Sequence, residues 1–368
     1  MMRSLDDYPP GNILVRMPNW VGDLVMATPV LEDLRRAFPH AGITAMCRSP
    51  YGDLLKEDPR INELFCFSKV NSFGRREGTR NIIEKLRKGQ YDLGLLLTHS
   101  FSSAWWFWQG KVKNRVGYLG NGRGILLTKA VSVPAELHRQ HLVVTYKMLL
   151  QTLNIPLSDT APRLFLSPRE VEAAQRLLEQ HGVSEKSLLV GINCGATYGS
   201  AKCWLPERFR QVTMRLLHEK DLFVVYFGDN ATASLVKEIC QGLPPRVVNL
   251  AGLTSMRELA ALISLSDVLL TNDSGPMHIA DALSTPVVAL FGSTSEVVTG
   301  PYRQGVVIHK HVECSPCYQR QCPIDFRCMK RIEAEEVVEE LSSVLAAKKR
   351  RVETYVKETV EKVWSESP

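Results

Sequence analysis

The stretch Leu269–Gly292, LLTNDSGPMHIADALSTPVVALFG, decides the fold. Apolar Val268, Leu269 and Leu270 run into the polar segment Thr271-Asn272-Asp273-Ser274-Gly275-Pro276. Apolar positions resume at helical spacing through Met277, Ile279, Ala280, Ala282 and Leu283, and a second apolar run, Val287–Phe291, stops at Gly292. This is strand, polar turn, short helix, strand. In open α/β sheets, ligands sit outside the carboxyl ends of strands, where helices begin. The turn offers Asp273, Ser274 and backbone N–H groups, a set suited to an anion or to sugar hydroxyls. The plainer reading is a helix with an Asp or Ser N-cap.

The same grammar repeats in both directions. Asn12–Arg16 (NILVR) reads as a buried strand, Met17–Asp23 as a turn, Ala27, Leu31 and Leu34 as a helical face, and Gly42–Cys47 as the next strand. Thr28-Pro29 leaves two readings: Pro29 at a helix start capped by Thr28, or a kink in a helix beginning at Asp23. The dinucleotide fingerprint GxGxxG is absent after this strand. Asp23 follows Gly22 at the strand's carboxyl end, as a general base or as a helix cap. Tyr91–Leu97 is a further strand, followed by Thr98–Ser103. Prolines 156, 162 and 168, with Ser158-Asp159-Thr160, mark a boundary. Beyond it a second series opens with the strands Leu188–Asn193, Leu222–Phe227 and Val247–Leu250, and with a helix after a Thr254 cap. The small-residue run 191–201 ends in Lys202 just before a helix at Pro206. It is not a P-loop, yet backbone N–H groups plus Lys202 suit a diphosphate. Asn193–Lys202, Gly228–Asn230 and Asp273–His278 are expected to share one crevice. The expected domains are 1–165 and 166–345, with a helical tail over 346–368.

Other segments keep two readings. Arg75, Arg76, Arg80, Lys85, Arg87 and Lys88 make a basic helix, either a solvated flank or a cationic lip for an anionic headgroup or acidic sugar. Trp105–Trp108 is core or a membrane-facing cap. Gly120–Gly124 carries Arg123, closing over a phosphate or forming a surface turn. His138 and His141 read as polar or capping residues of the following helix. Cys314, Cys317, Cys322 and Cys328 lie within fifteen residues. They are open to three readings: a structural zinc or iron–sulfur cluster, reduced or redox-labile thiols, or disulfides.

Composition bounds the partners. The chain has 368 residues, 45% hydrophobic content and a formal net charge of +6, enough for two cores. The charge is compatible with a phosphorylated ligand or an anionic membrane face and makes no case for nucleic acid. The start of the chain does not read as a signal peptide, and no apolar run reaches spanning length. The expectation is a cytoplasmic protein.

Taken together, Arg16-Met-Pro-Asn-Trp-Val-Gly-Asp23 with Thr28-Pro29, Arg115-Val-Gly-Tyr118, Gly195–Lys202, Asn272–His278 and the loop Cys314–Pro323 resemble the ADP-heptose lipopolysaccharide heptosyltransferases. The cysteine loop is similar to that of the heptosyltransferase II subfamily. The resemblance covers about residues 12 to 345. It implies a GT-B fold, two Rossmann-like domains with parallel sheets facing across a cleft. ADP-heptose would bind the second domain, and an acceptor of the heptosyl-Kdo2-lipid A type the first. The family's catalytic aspartate falls on Asp23 and its phosphate-binding lysine on Lys202. Its Asp-Thr-Gly donor motif falls on Asp273-Ser274-Gly275, with Ser in place of Thr, and the histidine closing it on His278. Asp229 stands where a glutamate often contacts the nucleoside. Arg75, Arg76, Arg80 and Ser100 fall to the acceptor side. The chemistry implied is inverting transfer with no cofactor required, by a monomer working peripherally at the cytoplasmic face of the inner membrane. The alternatives are heptosyltransferase I or III, a nucleotide-sugar epimerase lacking its nicotinamide fingerprint, and a non-catalytic ADP-sugar-binding protein.

Overall fold

The computed structural model describes residues 9–68, 76–133, 135–136, 138–303 and 305–347. The chain divides into two compact units, Met1–Ser167 with Val297–Arg303, and Pro168–Glu296 with Gln304–Pro368. In the first unit, β1 (Asn12–Arg16), β2 (Gly42–Arg48), β3 (Glu63–Phe67), β4 (Leu93–Leu96), β5 (Asn114–Tyr118) and β6 (Lys129–Val131) form a sheet in the order β3-β2-β1-β4-β5-β6. In the second, β7 (Leu188–Asn193), β8 (Leu222–Phe227), β9 (Val247–Asn249), β10 (Val268–Asn272), β11 (Val287–Phe291) and β12 (Val306–His309) take the order β12-β11-β10-β7-β8-β9. Among the described residues every strand pairing is parallel. Counted within its own unit, each sheet has the Rossmann order 3-2-1-4-5-6, which puts the topological switch between β1 and β4 and between β7 and β10. Two Rossmann-like units with parallel sheets are the fold class of GT-B proteins.

The strands are legible as continuous apolar runs because a parallel sheet is covered on both faces. All five residues of β10 and all five of β11 are buried. Val190, Ile192, Leu270, Val288 and Leu290 pack with Trp204 and Phe209 into the second unit's core. Val337, Leu341 and Leu345, one face of the helix over 334–347, join it. β6 and β12 are edge strands of three and four residues, which explains why no periodicity marks them in the sequence.

Helices cross between the strands. The first unit has α1 (Val21–Met26), α2 (Thr28–Ala37), α3 (Arg76–Lys88), α4 (Phe101–Gln109) and α5 (Leu142–Met148). The second has α6 (Pro168–Gln180), α7 (Pro206–Leu216), α8 (Ala233–Cys240), α9 (Met256–Leu265) and α10 (Gly275–Ala282). Thr254 does not cap α9. Ser255 does, because Glu258 stands three residues on and returns the bond, a complete capping box.

Pro29 explains the break between α1 and α2. It has no N–H to give the carbonyl of Val25, four residues back, so a continuous helix would orphan that oxygen. The Thr28 hydroxyl donates to the Val25 carbonyl instead, at 2.8 Å. Thr28 is therefore a bridge across the break and not the expected N-cap, a position taken by Ala27. The same hydroxyl accepts from the Arg163 N–H at 3.1 Å and is fully buried. Thr28→Val keeps the shape and removes both bonds. It is expected to destabilise the first unit by about 1–3 kcal/mol, read from the midpoint of urea unfolding. An unchanged midpoint contradicts this account.

Candidate active site

At the switch point of the second unit, β7 and β10 are paired so that Asn193 lies beside Thr271. Their carboxyl ends are tied by amide side chains. Asn272 Nδ2 donates to the Cys194 carbonyl at 2.8 Å, while its Oδ1 accepts from the Trp204 N–H at 3.0 Å. This staples the loop 194–204 to the end of β10. Asn193 Nδ2 donates to the Gly195 carbonyl and to Ser274 Oγ, both at 3.0 Å. Lys202 then reaches Asp273, Nζ to Oδ2 2.5 Å, with the two side chains 13% and 4% exposed. Thr294 Oγ1 donates to the same oxygen at 2.6 Å. The Lys202 ammonium also sits 4.9 Å from the centre of the Tyr198 ring.

Ser274 stands at the N-cap of α10, but its hydroxyl does not cap. Thr271 Oγ1 donates to the Asn272 carbonyl at 2.9 Å and lies 3.0 Å from Ser274 Oγ. With the Thr271 proton committed, Ser274 donates to Thr271 and accepts from Asn193. The start of α10, at Gly275, thus has no side-chain cap, and Pro276 in its first turn has no N–H to satisfy. Such an end is open to an anion. His278 is buried in the second turn of α10. Asp229 is exposed, and its Oδ1 accepts from both the N–H and the hydroxyl of Thr232, each at 3.0 Å. A Cβ at Gly195 would come within 2.6 Å of Thr232 Cγ2, so only glycine lets this loop pass that turn. Asn193–Lys202, Gly228–Asn230 and Asp273–His278 are thereby brought together.

The cysteine loop braces this arrangement. The Tyr198 hydroxyl donates to the Tyr318 carbonyl at 2.7 Å, and the Ala201 N–H to the Arg320 carbonyl at 3.0 Å. A Cβ at Gly199 would collide with that carbonyl. The Tyr318 N–H in turn donates to the Ser293 carbonyl at 2.7 Å. Cys314, Cys317, Cys322 and Cys328 carry free sulfurs. Burial, with smaller contributions from the other three thiols, pushes the Cys328 thiol up. Among the described residues, the three-membered donor group with all ligand atoms within 4.8 Å is Glu296, His309 and His311, and it contains no cysteine.

At the switch point of the first unit, Arg16 at the end of β1 is buried. It donates to the Met17 carbonyl and, at 2.5 Å, to Asn19 Oδ1, with its guanidinium 4.6 Å from the centre of the Phe67 ring. Burial lowers it to about 10, so it stays a cation at neutral pH. Arg16 and Asn19 fix the turn that leads into α1. Asp23 lies in the first turn of that helix without capping it, a position the helix dipole favours for a carboxylate. The Tyr146 hydroxyl, from α5, donates to Asp23 Oδ1 at 3.1 Å. Burial, then the Asp23 charge, hold Tyr146 well above the usual phenol range, so it remains a donor.

The other sequence candidates of this unit have local partners. Ser100 caps α4, accepting from the Ser103 N–H at 3.3 Å. Arg123 is not available to a phosphate: it is fully buried and spent on the carbonyls of Tyr118 and Thr98. His141 caps α5 through Nδ1 and donates from Nε2 to the Gly300 carbonyl at 2.9 Å. Trp106 and Phe107 are core, whereas Phe101 and Trp108 at the ends of α4 are 46% and 49% exposed. Arg80 pairs with Glu84 and Lys85 with Glu63, each at 3.0 Å. Arg75 lies outside the described residues, and Arg76 is described only as the start of α3.

Two Rossmann-like units, one with an anion-ready helix start beside a lysine, define a GT-B glycosyltransferase. The chain belongs to glycosyltransferase family 9 (heptosyltransferase), whose pattern matches residues 79–326. It is 27% identical over 340 residues to a lipooligosaccharide heptosyltransferase 2 of Campylobacter jejuni, covering 90% of this chain and 98% of that one. A solved ADP-heptose LPS heptosyltransferase II of E. coli is 27% identical with a TM-score of 0.78, over 92% of this chain and 99% of the other. A family 9 glycosyl transferase of Veillonella parvula shares the fold at a TM-score of 0.82, with 23% identity over 92% of this chain and 97% of its own.

The Asn272 staple is testable. Asn272→Leu leaves the Trp204 N–H and the Cys194 carbonyl without their partner. Amide hydrogen exchange over 194–204 is expected to speed up by about tenfold or more, as for a loss of 1–3 kcal/mol. Exchange at the parental rate contradicts the staple.

Proposed function

We propose that this enzyme transfers heptose, with inversion, from ADP-L-glycero-D-manno-heptose to the first heptose of a lipopolysaccharide inner core, the heptosyltransferase II reaction. The observation that carries the reading is the Lys202–Asp273 pair beside the uncapped start of α10, in a family 9 chain similar to proteins named heptosyltransferase 2.

Asp23 is the general base. It takes the proton of the acceptor hydroxyl as that oxygen bonds to the anomeric carbon and the bond to the diphosphate breaks. Lys202 has three donors, of which Asp273 takes one. The others, with the N–H groups at the start of α10, stabilise the departing ADP. Ser274 has no proton left to give but keeps a lone pair, so it suits a sugar hydroxyl. His278 sits on the same helix as a donor-side residue, and Asp229 at the nucleoside end. Arg76, Arg80 and Ser100, with Arg75, serve the acceptor. The place of work is the cytoplasmic face of the inner membrane, held peripherally. No described helix is long and apolar enough to cross a membrane. Exposed Phe101 and Trp108 and the basic α3 suit a bilayer surface.

The testing experiment is transfer from ADP-heptose to Kdo2-lipid A acceptors bearing zero, one or two heptoses. Preference for the one-heptose acceptor is expected. Preference for zero points to heptosyltransferase I and for two to heptosyltransferase III. ADP-heptose binding without turnover on any acceptor removes the transferase assignment.

Two variants are expected to fail differently. Asp23→Asn keeps ADP affinity and lowers turnover about 10²–10⁴-fold. Lys202→Ala weakens ADP binding about tenfold to a hundredfold, the range of a charge-assisted hydrogen bond. Calorimetric titration with ADP and steady-state kinetics separate them. Near-normal turnover in the first, or an unchanged dissociation constant in the second, overturns that residue's role.

A further inference from the structure

We infer that Glu296, His309 and His311 form a binding site for a divalent transition-metal ion of the zinc type. The three residues come from two places in the second unit, the segment after β11 and the end of β12. His309 closes β12, and His311 lies two residues beyond it with a left-handed backbone (φ 43°) that brings the rings together, their centres 4.1 Å apart.

The argument is a count of protons. Ser315 Oγ has one proton, and it goes to the Gly292 carbonyl. Ser315 Oγ lies 2.8 Å from His309 Nε2, so it accepts there and Nε2 carries the hydrogen. In the neutral ring this leaves a lone pair on Nδ1, which lies 2.8 Å from Glu296 Oε2, a second acceptor. Two lone pairs facing each other at that distance need a cation between or beside them, either a second ring proton or a metal ion. His311 supplies the third donor that an ion needs and a proton does not. Its Nε2 is 3.7 Å from Glu296 Oε1, too far for a hydrogen bond. Two ligands each about 2.0–2.2 Å from one ion stand about 3–4 Å apart; the His311–Glu296 separation meets this, and the 2.8 Å between His309 Nδ1 and Glu296 Oε2 widens slightly as an ion enters. One donor atom from each of the three residues falls within 4.8 Å of the others.

The donor set fits the ion. Two imidazoles and one carboxylate are a zinc-type triad with a coordination position left for water. The ring is already oriented, because Ser315 holds the far nitrogen of His309 as an oxygen acceptor does in such sites. His309 is 3% exposed, Glu296 25% and His311 68%, so the ion enters from solvent on the His311 side. Ser315 and Tyr318 tie the same loop to Gly292 and Ser293, next to the Thr294 that bonds Asp273. A bound ion would therefore rigidify the segment 292–296.

The test is calorimetric titration of the chelator-treated full chain with zinc, and cobalt(II) absorption. One zinc per chain is expected, with cobalt bands free of intense sulfur-to-metal charge transfer. His311→Ala, a change at an exposed side chain, and Glu296→Gln should each weaken binding more than about tenfold. The double variant Cys314→Ser/Cys317→Ser should leave it unchanged. No zinc uptake, equal affinity in His311→Ala and Glu296→Gln, loss confined to the cysteine variant, or a thiolate-type cobalt spectrum would each overturn the site.

Discussion

The second unit depends on one buried ion pair, Lys202 with Asp273. Neither charge is affordable there alone, since removing one partner of a buried pair typically costs about 3–5 kcal/mol. Much of the local structure is explained by that demand. Thr294 comes in from the end of β11 to bond the carboxylate, and Tyr198 lays its ring beside the ammonium. Gly199 lacks a side chain so that the Arg320 carbonyl can hold the loop carrying the lysine. The cysteine loop is thus linked to the lysine by backbone bonds, whatever state its sulfurs take.

The first unit has the same strand order and solves a different problem. Its carboxylate, Asp23, lies in the first turn of α1. It takes a phenol hydroxyl from Tyr146 and the dipole of α1. On the proposed function this carboxylate is the proton acceptor, and the phenol holds it in place. A lysine leaves the pair neutral overall with spare N–H groups, which suits a leaving diphosphate. The buried cation of this unit, Arg16, is spent on carbonyl oxygens and Asn19 and shapes the turn.

The strands were legible because burial on both sheet faces writes itself as unbroken apolar runs, and the turn residues because strand ends are polar. What the sequence hides are contacts between distant segments. Tyr146 reads as one more apolar position of α5, and nothing nearby says its hydroxyl meets a residue 123 positions away. Thr294 reads as part of a polar turn after Gly292. Arg123, in a glycine-rich loop, has the look of a phosphate ligand, and only the carbonyls of Tyr118 and Thr98 reveal its structural use. Thr28 looks like a cap because Pro29 follows it, but the orphaned Val25 carbonyl decides otherwise.

The serine at 274 shows how far the geometry constrains the chemistry. Where the resembling family has threonine, the methyl is lost and the hydroxyl remains. That hydroxyl is a link in a directed chain, from Asn193 through Ser274 and Thr271 to the Asn272 carbonyl. The two hydroxyls have one proton each, and both are already assigned. The chain fixes where α10 starts, since Ser274 is its N-cap yet turns its oxygen to the sheet. On the proposed function, the phosphate contacts then fall to groups with protons to give, namely Lys202 and the first backbone N–H groups of the helix. Ser274, which the sequence leaves open to an anion or a sugar hydroxyl, is therefore better suited to the hydroxyl, because what it still offers is a lone pair.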